Sequence, residues 1–257
     1  MALLETHFDS QVLGLSLGAN IILPEHPEAW REPPAVLYLL HGLSDNHTIW
    51  CRRTAVERYA QDYNLAIVMP DAYKSFYCDM QHGSNYWNFF SEELPMLVER
   101  WFNVSNDWKK TFVAGLSMGG YGAIKLALGR PGHYAAAASL SGALDLASHI
   151  DDDWDDSRTR TFEAVFGELA QVPTSGNDLI AQLQTLETVP ETKFYIACGT
   201  EDYLYRDSVA FRDLATEKGL DLTYEESAGD HEWGFWDTHI QRVLEWLPIK
   251  KLETVGE

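Results

Sequence analysis

The chain has only three cysteines, Cys51, Cys78 and Cys198, in 257 residues. They are too few and too scattered for a disulfide framework or a zinc site. Basic residues are scarce as well: 19 Lys and Arg stand against 39 Asp and Glu, a formal charge of −20. A surface of that sign repels phosphate backbones and anionic headgroups, which excludes nucleic acid and membranes as expected partners. No apolar run approaches the roughly 18 residues of a membrane-spanning helix. The opening "MALLETHFDSQ" has neither the basic start nor the long apolar stretch of a secretory signal, so the expected location is cytoplasmic. The acidic run "DDDWDDS" at 151–157 lacks the glycine-punctuated spacing of a calcium loop and is expected to be a solvated loop.

What the chain does have is apolar content, 46% of residues, enough for one large domain that needs no staples. "AVLYLL" (35–40) and "LAIVMP" (65–70) are continuous apolar runs, the mark of strands buried on both faces. Early strand character lies in 10–23. Further strands are expected at 111–114, 134–142, 193–199 and 222–227, and helical spacing at 53–61, 91–102, 121–128, 205–219 and 236–248. Strands and helices alternate without a repeat or a linker. This predicts a single α/β domain over 1–257, with a mostly parallel central sheet covered by helices on both faces. One stretch breaks the rhythm. Residues 145–190 carry two weak helical segments and no strand, and an insertion after a strand end is placed to roof a pocket.

"VAGLSMGGYGA" (113–123) sets Ser117 between Gly115 and Gly119, directly after an apolar run and before a helical stretch. Strand, sharp turn and helix with a serine at the tip form a nucleophile elbow, and side chains at the two glycines would collide there. A serine needs a base, and the base needs an orienting acid. In the α/β-hydrolase arrangement these follow in the order Ser, Asp or Glu, His. "CGTEDYL" supplies Asp202 just past a late strand, with Glu201 beside it as the alternative, and "GDHEWGFW" supplies His231 between the last strand and the last helix. Asp230 is adjacent to His231, and consecutive side chains diverge. Donors for a developing oxyanion are expected from the backbone N–H of Met118 and, after the His41-Gly42 turn of "YLLHGLSDNHTIW", from that of Leu43.

These four motifs resemble the esterase D-like branch of the α/β hydrolases, and the resemblance runs in order from about Phe8 to Leu247. This branch includes S-formylglutathione hydrolases, feruloyl and acetyl xylan esterases and mycolyltransferases, and the bacterial tributyrin esterase group is the most similar. The resemblance implies an α/β-hydrolase fold with Ser117, Asp202 and His231 as nucleophile, acid and base, and Leu43 and Met118 as oxyanion donors. It implies no metal or organic cofactor. The partner is a small-molecule ester, hydrolysed from acetyl to butyryl chain length, and self-association into a homo-oligomer is left open. Two departures from the formylglutathione branch, Tyr121 in place of a histidine and "EWGFW" after His231, weigh against a thioester. S-formylglutathione hydrolysis, feruloyl or carbohydrate acetyl ester cleavage, and a catalytically silent scaffold are the alternatives. Gly42, Trp50, Trp87 and Trp233 are expected to border the substrate. The 145–190 insertion is expected to act as a partial lid, with Phe162, Val165 and Phe166 on one apolar face.

Overall fold

The computed structural model describes residues 1–27, 31–150 and 155–252. Strand β1 (Ala2–Ser10) alternates half-buried and exposed residues and pairs antiparallel with β2 (Leu15–Leu23). The early strand character therefore divides around a turn at 11–14, which Gly14 closes with a φ of +66°. The strand β1 that precedes it was not apparent from apolar content, because only its alternate residues are covered. β3 (Ala35–Leu40) is followed by two single-turn helices, α1 (Ile49–Arg53) and α2 (Val56–Ala60). The helical spacing at 53–61 is thus interrupted: Thr54 is extended, and its hydroxyl donates to Trp50 O at 2.6 Å and accepts from Val56 N–H at 3.2 Å.

After β4 (Leu65–Pro70) a turn of helix α3 (Tyr86–Asn88) leads through a π turn at Phe89–Glu93 into α4 (Leu94–Trp101). The Leu94 N–H bonds five residues back to Phe89 O, and Pro95, lacking an N–H, forms no bond in the next position. The extra residue turns Glu93 inward. Its carboxylate accepts from Gln11 N–H at 2.8 Å and from the Ser10 hydroxyl, capping the β1–β2 turn.

β5 (Thr111–Leu116) and α5 (Met118–Gly129) flank Ser117, and β6 (Ala136–Leu140) follows. The insertion holds α6 (Asp156–Phe166) and α7 (Leu179–Gln184), and its described residues contain no strand. Residues 151–154 of the acidic run lie outside the described residues. β7 (Lys193–Gly199), α8 (Tyr205–Glu217), β8 (Asp221–Ser227) and α9 (Trp233–Trp246) complete the order.

The eight strands form one sheet in the order β1-β2-β4-β3-β5-β6-β7-β8, parallel from β4 to β8. β3 is apolar at every position because both of its faces are covered. Val36, Tyr38 and Leu40 join the layer with α4, α5 and α8, while Ala35, Leu37 and Leu39 join that with α1, α2 and α9. The alanines of β6 divide the same way, Ala137 on one side and Ala136 and Ala138 on the other. Among the described residues no helix is long and apolar enough to cross a membrane.

Candidate active site

Ser117 sits between the end of β5 and the first residue of α5 with φ 52° and ψ −117°, a conformation costing on the order of 1–3 kcal/mol for a residue with a side chain. The glycines make the turn buildable. A Cβ on Gly115 would stand 2.4 Å from the Gly119 carbonyl, and one on Gly119 2.5 Å from Leu40 O. β5 delivers the serine at the C-terminal edge of the sheet, where the loops after β3, β7 and β8 also converge.

The Ser117 hydroxyl donates to His231 Nε2 at 3.1 Å, and His231 Nδ1–H donates to Asp202 Oδ2 at 2.9 Å. Facing a carboxylate, Nδ1 carries the proton, which leaves Nε2 as the acceptor for the serine. The Asp202 side chain is fully enclosed. Burial alone would raise its pKa, but the bond and charge of His231, the Leu204 N–H at 2.8 Å and the Ser141 hydroxyl hold it below the ordinary carboxylate value. Glu201 points elsewhere: its carboxylate accepts from Gly229 N–H at 2.6 Å and fixes the loop before His231. Asp230 accepts from the backbone N–H of His231.

Three residues that the sequence reading did not single out complete the surroundings of His231. The edge of Trp236 meets its ring at 4.9 Å, and the Tyr203 ring lies 4.6 Å away with its hydroxyl 3.5 Å from Nε2. Ser141, buried with a φ of +50°, accepts from Trp236 Nε1 at 3.1 Å and so ties the aromatic wall to the acid. Tyr203 had a signal, since it follows Asp202 directly. Trp236 had one too, closing the quoted motif on the helix just after His231, whereas Ser141 had none, because only the sheet brings it beside Asp202.

On the other side of Ser117 lies the turn after β3. A Cβ on Gly42 would come within 3.7 Å of Ser117 Cβ. His41, buried, donates from Nδ1 to Gly42 O at 2.8 Å and accepts from Ala72 N–H at Nε2 at 2.9 Å. Pinning that carbonyl turns the N–H of Leu43, on the opposite edge of the same planar peptide, away from His41. Met118 opens α5, so its N–H lies outside the helical ladder, at the positive end of the helix.

A cavity of about 790 Å³ opens over Ser117, bordered by Gly42, Leu43, Met118, Trp233 and Trp236 and by Phe76, Leu146, Phe162 and Tyr203. Phe162 belongs to the insertion; Phe166 does not reach this cavity and instead packs on Phe76, ring centroids 5.4 Å apart. Two expected substrate contacts lie elsewhere. Trp50 is buried at 1% exposure, donates to Leu40 O at 3.1 Å and supports Trp233 from behind, edge to face at 5.4 Å. Trp87 packs over Gly129, the last residue of α5. Ser117 precedes the first residue, and a 12-residue helix separates the two ends by about 18 Å. Tyr121 likewise lies outside the cavity, where its hydroxyl donates to Asn177 O at 2.7 Å and anchors the insertion.

The family model described as a putative esterase matches residues 10–247. An acetyl esterase of Caldicellulosiruptor saccharolyticus is 30% identical over 96% of this chain and 98% of its own length. Two solved structures from Staphylococcus aureus are similar throughout. Substrate-bound fluorophosphonate-binding serine hydrolase F has a TM-score of 0.88, and an S-formylglutathione hydrolase apoenzyme a TM-score of 0.85. Each is 32% identical and aligns over 96% of this chain and 98% of the other.

Proposed function

The chain belongs to the putative esterase family and is a carboxylic ester hydrolase, and on that premise we propose that it cleaves short-chain acyl esters, acetyl to butyryl, through an acyl-enzyme on Ser117. Membership sets aside the reading as a silent scaffold. The observation that carries the proposal is the continuous path from the Ser117 hydroxyl through His231 to the enclosed Asp202, at 3.1 and 2.9 Å, on the floor of the cavity. As the hydroxyl attacks the ester carbonyl, Nε2 takes its proton, and Asp202 stabilises the imidazolium that forms. The N–H groups of Leu43 and Met118 receive the developing oxyanion. Nε2 then returns the proton to the leaving alcohol, and water repeats the cycle in reverse. The short acyl range rests on the aromatic walls, Trp233 on one side and Phe162 on the other, with the 145–190 insertion acting as the partial roof that carries Phe162.

Ser117→Ala is expected to lower turnover of p-nitrophenyl acetate by roughly 10⁴- to 10⁶-fold and to abolish labelling by a fluorophosphonate probe. Near-normal turnover in that variant would overturn the assignment. The likeness to an S-formylglutathione hydrolase at 32% identity supports thioester cleavage as a second reading. A side-by-side kcat/KM on acetyl esters, butyryl esters and S-formylglutathione decides between them: a preference above about 100-fold for the thioester, roughly 3 kcal/mol, would replace the ester.

A further inference from the structure

Away from the Ser117 cavity, Lys125 is buried in the middle of α5 with its Nζ 2.8 Å from the Sγ of Cys78. Cys78 is fully buried and forms no disulfide. A lysine is seldom buried without strong partners. Those of Lys125 are this sulfur, Asn177 Oδ1 at 2.5 Å, and the ring faces of Trp87 and Tyr121 at 5.4 and 5.7 Å. The thiol is held from the other side, donating to Phe76 O at 3.1 Å. Both heads are therefore fixed, and their separation is as short as an N–H···O bond although sulfur is the larger atom. The gap is one that a single oxygen atom bonded to both would span.

We infer that Cys78 and Lys125 form a modification site, joined through one oxygen into a covalent Sγ–O–Nζ bridge when the protein meets a peroxide. A first equivalent transfers oxygen to sulfur: the thiol becomes a sulfenic acid and the peroxide leaves as its alcohol, or as water. A second equivalent oxidises the amine as the N–O bond forms. Counted from the neutral thiol and amine, two peroxides accept four electrons, two from sulfur and two from nitrogen. One of the two oxygens delivered stays in the bridge, and the other leaves as water with the thiol hydrogen and one amine hydrogen. A second cavity, of about 360 Å³ and bordered by Lys125, Trp87, Asn177 and Gln182, brings a small peroxide to the amine, whose Nζ lies 2.8 Å from the buried sulfur. The bridge ties α5, which begins beside Ser117, to the 75–78 turn, whose Phe76 borders the Ser117 cavity.

The full chain, treated with hydrogen peroxide and measured by accurate intact mass, is expected to gain about 14 Da, one oxygen less two hydrogens. Dithiothreitol should remove the gain, and a tryptic digest should yield one cross-linked species containing both Cys78 and Lys125. Cys78→Ala should not form it. Because that variant removes a core side chain, Cys51→Ser/Cys198→Ser, which keeps Cys78 as the sole thiol, must form the bridge as the natural chain does. Whole oxygens on Cys78 with the Lys125 peptide unlinked would overturn the inference, as would an unmodified Cys78. A loss of about 2 Da would show the two atoms bonded directly and would overturn the oxygen bridge.

Discussion

Two His–Asp pairs present their histidines to the same cavity, and they differ in what surrounds the buried carboxylate. His231 meets Asp202 at 2.9 Å, and His149, in the insertion, meets Asp207 at 2.8 Å. Both carboxylates are buried. Asp202 receives His231 on both oxygens, the Leu204 N–H and the Ser141 hydroxyl, and its pKa is held down despite burial. Asp207 receives His149 on one oxygen and the Asp145 N–H at 3.3 Å on the other; burial and the nearby Asp145 charge leave its pKa raised. Contact length does not separate the pairs. Donors directed at the anion do, together with a serine 3.1 Å from the far nitrogen of His231.

The strongest break between the pairs is in turnover. Asp202→Asn removes the charge that stabilises the imidazolium and disturbs the tautomer that leaves Nε2 free, so kcat is expected to fall on the order of 10⁴-fold. Asp207→Asn touches no atom of the Ser117–His231–Asp202 path and should leave kcat on p-nitrophenyl acetate within about 3-fold, a change worth less than 1 kcal/mol. Comparable losses in two folded variants would mean that the second pair takes part in the chemistry.

That contrast also marks how far the sequence reaches. β3, β4 and β7 lie where their apolar runs stand, because a strand covered on both faces has one dominant local signal. The order Ser117, Asp202, His231 was legible because each follows a strand, and parallel strands place such ends on one edge. Trp50 and Trp87 misled because residue type says nothing about direction. Trp50 turns its indole N–H into the core to reach Leu40 O, and Trp87 lies at the far end of α5. β1 was missed because its alternation gains meaning only once β2 covers it. The second pair was equally invisible: Asp207 is on α8 and His149 in the insertion, 58 residues apart.

Phe162 stands on the insertion side of the cavity with His149, and its removal tests what that side contributes. Phe162→Ala is expected to cost roughly 3 kcal/mol of stability and to move the preference toward longer acyl chains, by about 0.8 kcal/mol for each methylene that gains apolar room. Phe166→Ala, which opens no space in this cavity, should cost stability and leave the ratio of acetyl, butyryl and octanoyl ester rates unchanged. Identical profiles for both variants, measured where both remain folded, would remove the insertion from acyl selection.

Ser141 sharpens the comparison from the other side, since it is one of the donors that Asp207 lacks. Ser141→Ala deletes a hydrogen bond to an anion, an interaction worth about 1.5–3 kcal/mol, and frees the Trp236 N–H. A fall in kcat of about 10-fold is expected, together with a rise of the Asp202 pKa toward its ordinary value. Ser141→Thr keeps the hydroxyl and should recover most of the rate. If Ser141→Ala and Ser141→Thr behave alike, packing at this site matters and the hydroxyl does not.

The smallest effect is on stability, and its sign separates the two acids. For Asp202 the folded pKa is lowered, so its contribution is present above the unfolded value and is lost as pH falls through the folded one. For Asp207 the folded pKa is raised, so its contribution is present below the unfolded value and is lost as pH rises through the folded one. Asp207 is therefore an acid whose ionisation folding disfavours. Asp207→Asn keeps an acceptor for His149 and carries no charge at any pH. Its Tm relative to the natural chain should rise by a few degrees as pH climbs above about 4, whereas the Tm deficit of Asp202→Asn should stay level there and shrink only as pH falls below about 4. Two Tm differences that stay parallel across the titration would show that donor number does not set the two carboxylates apart.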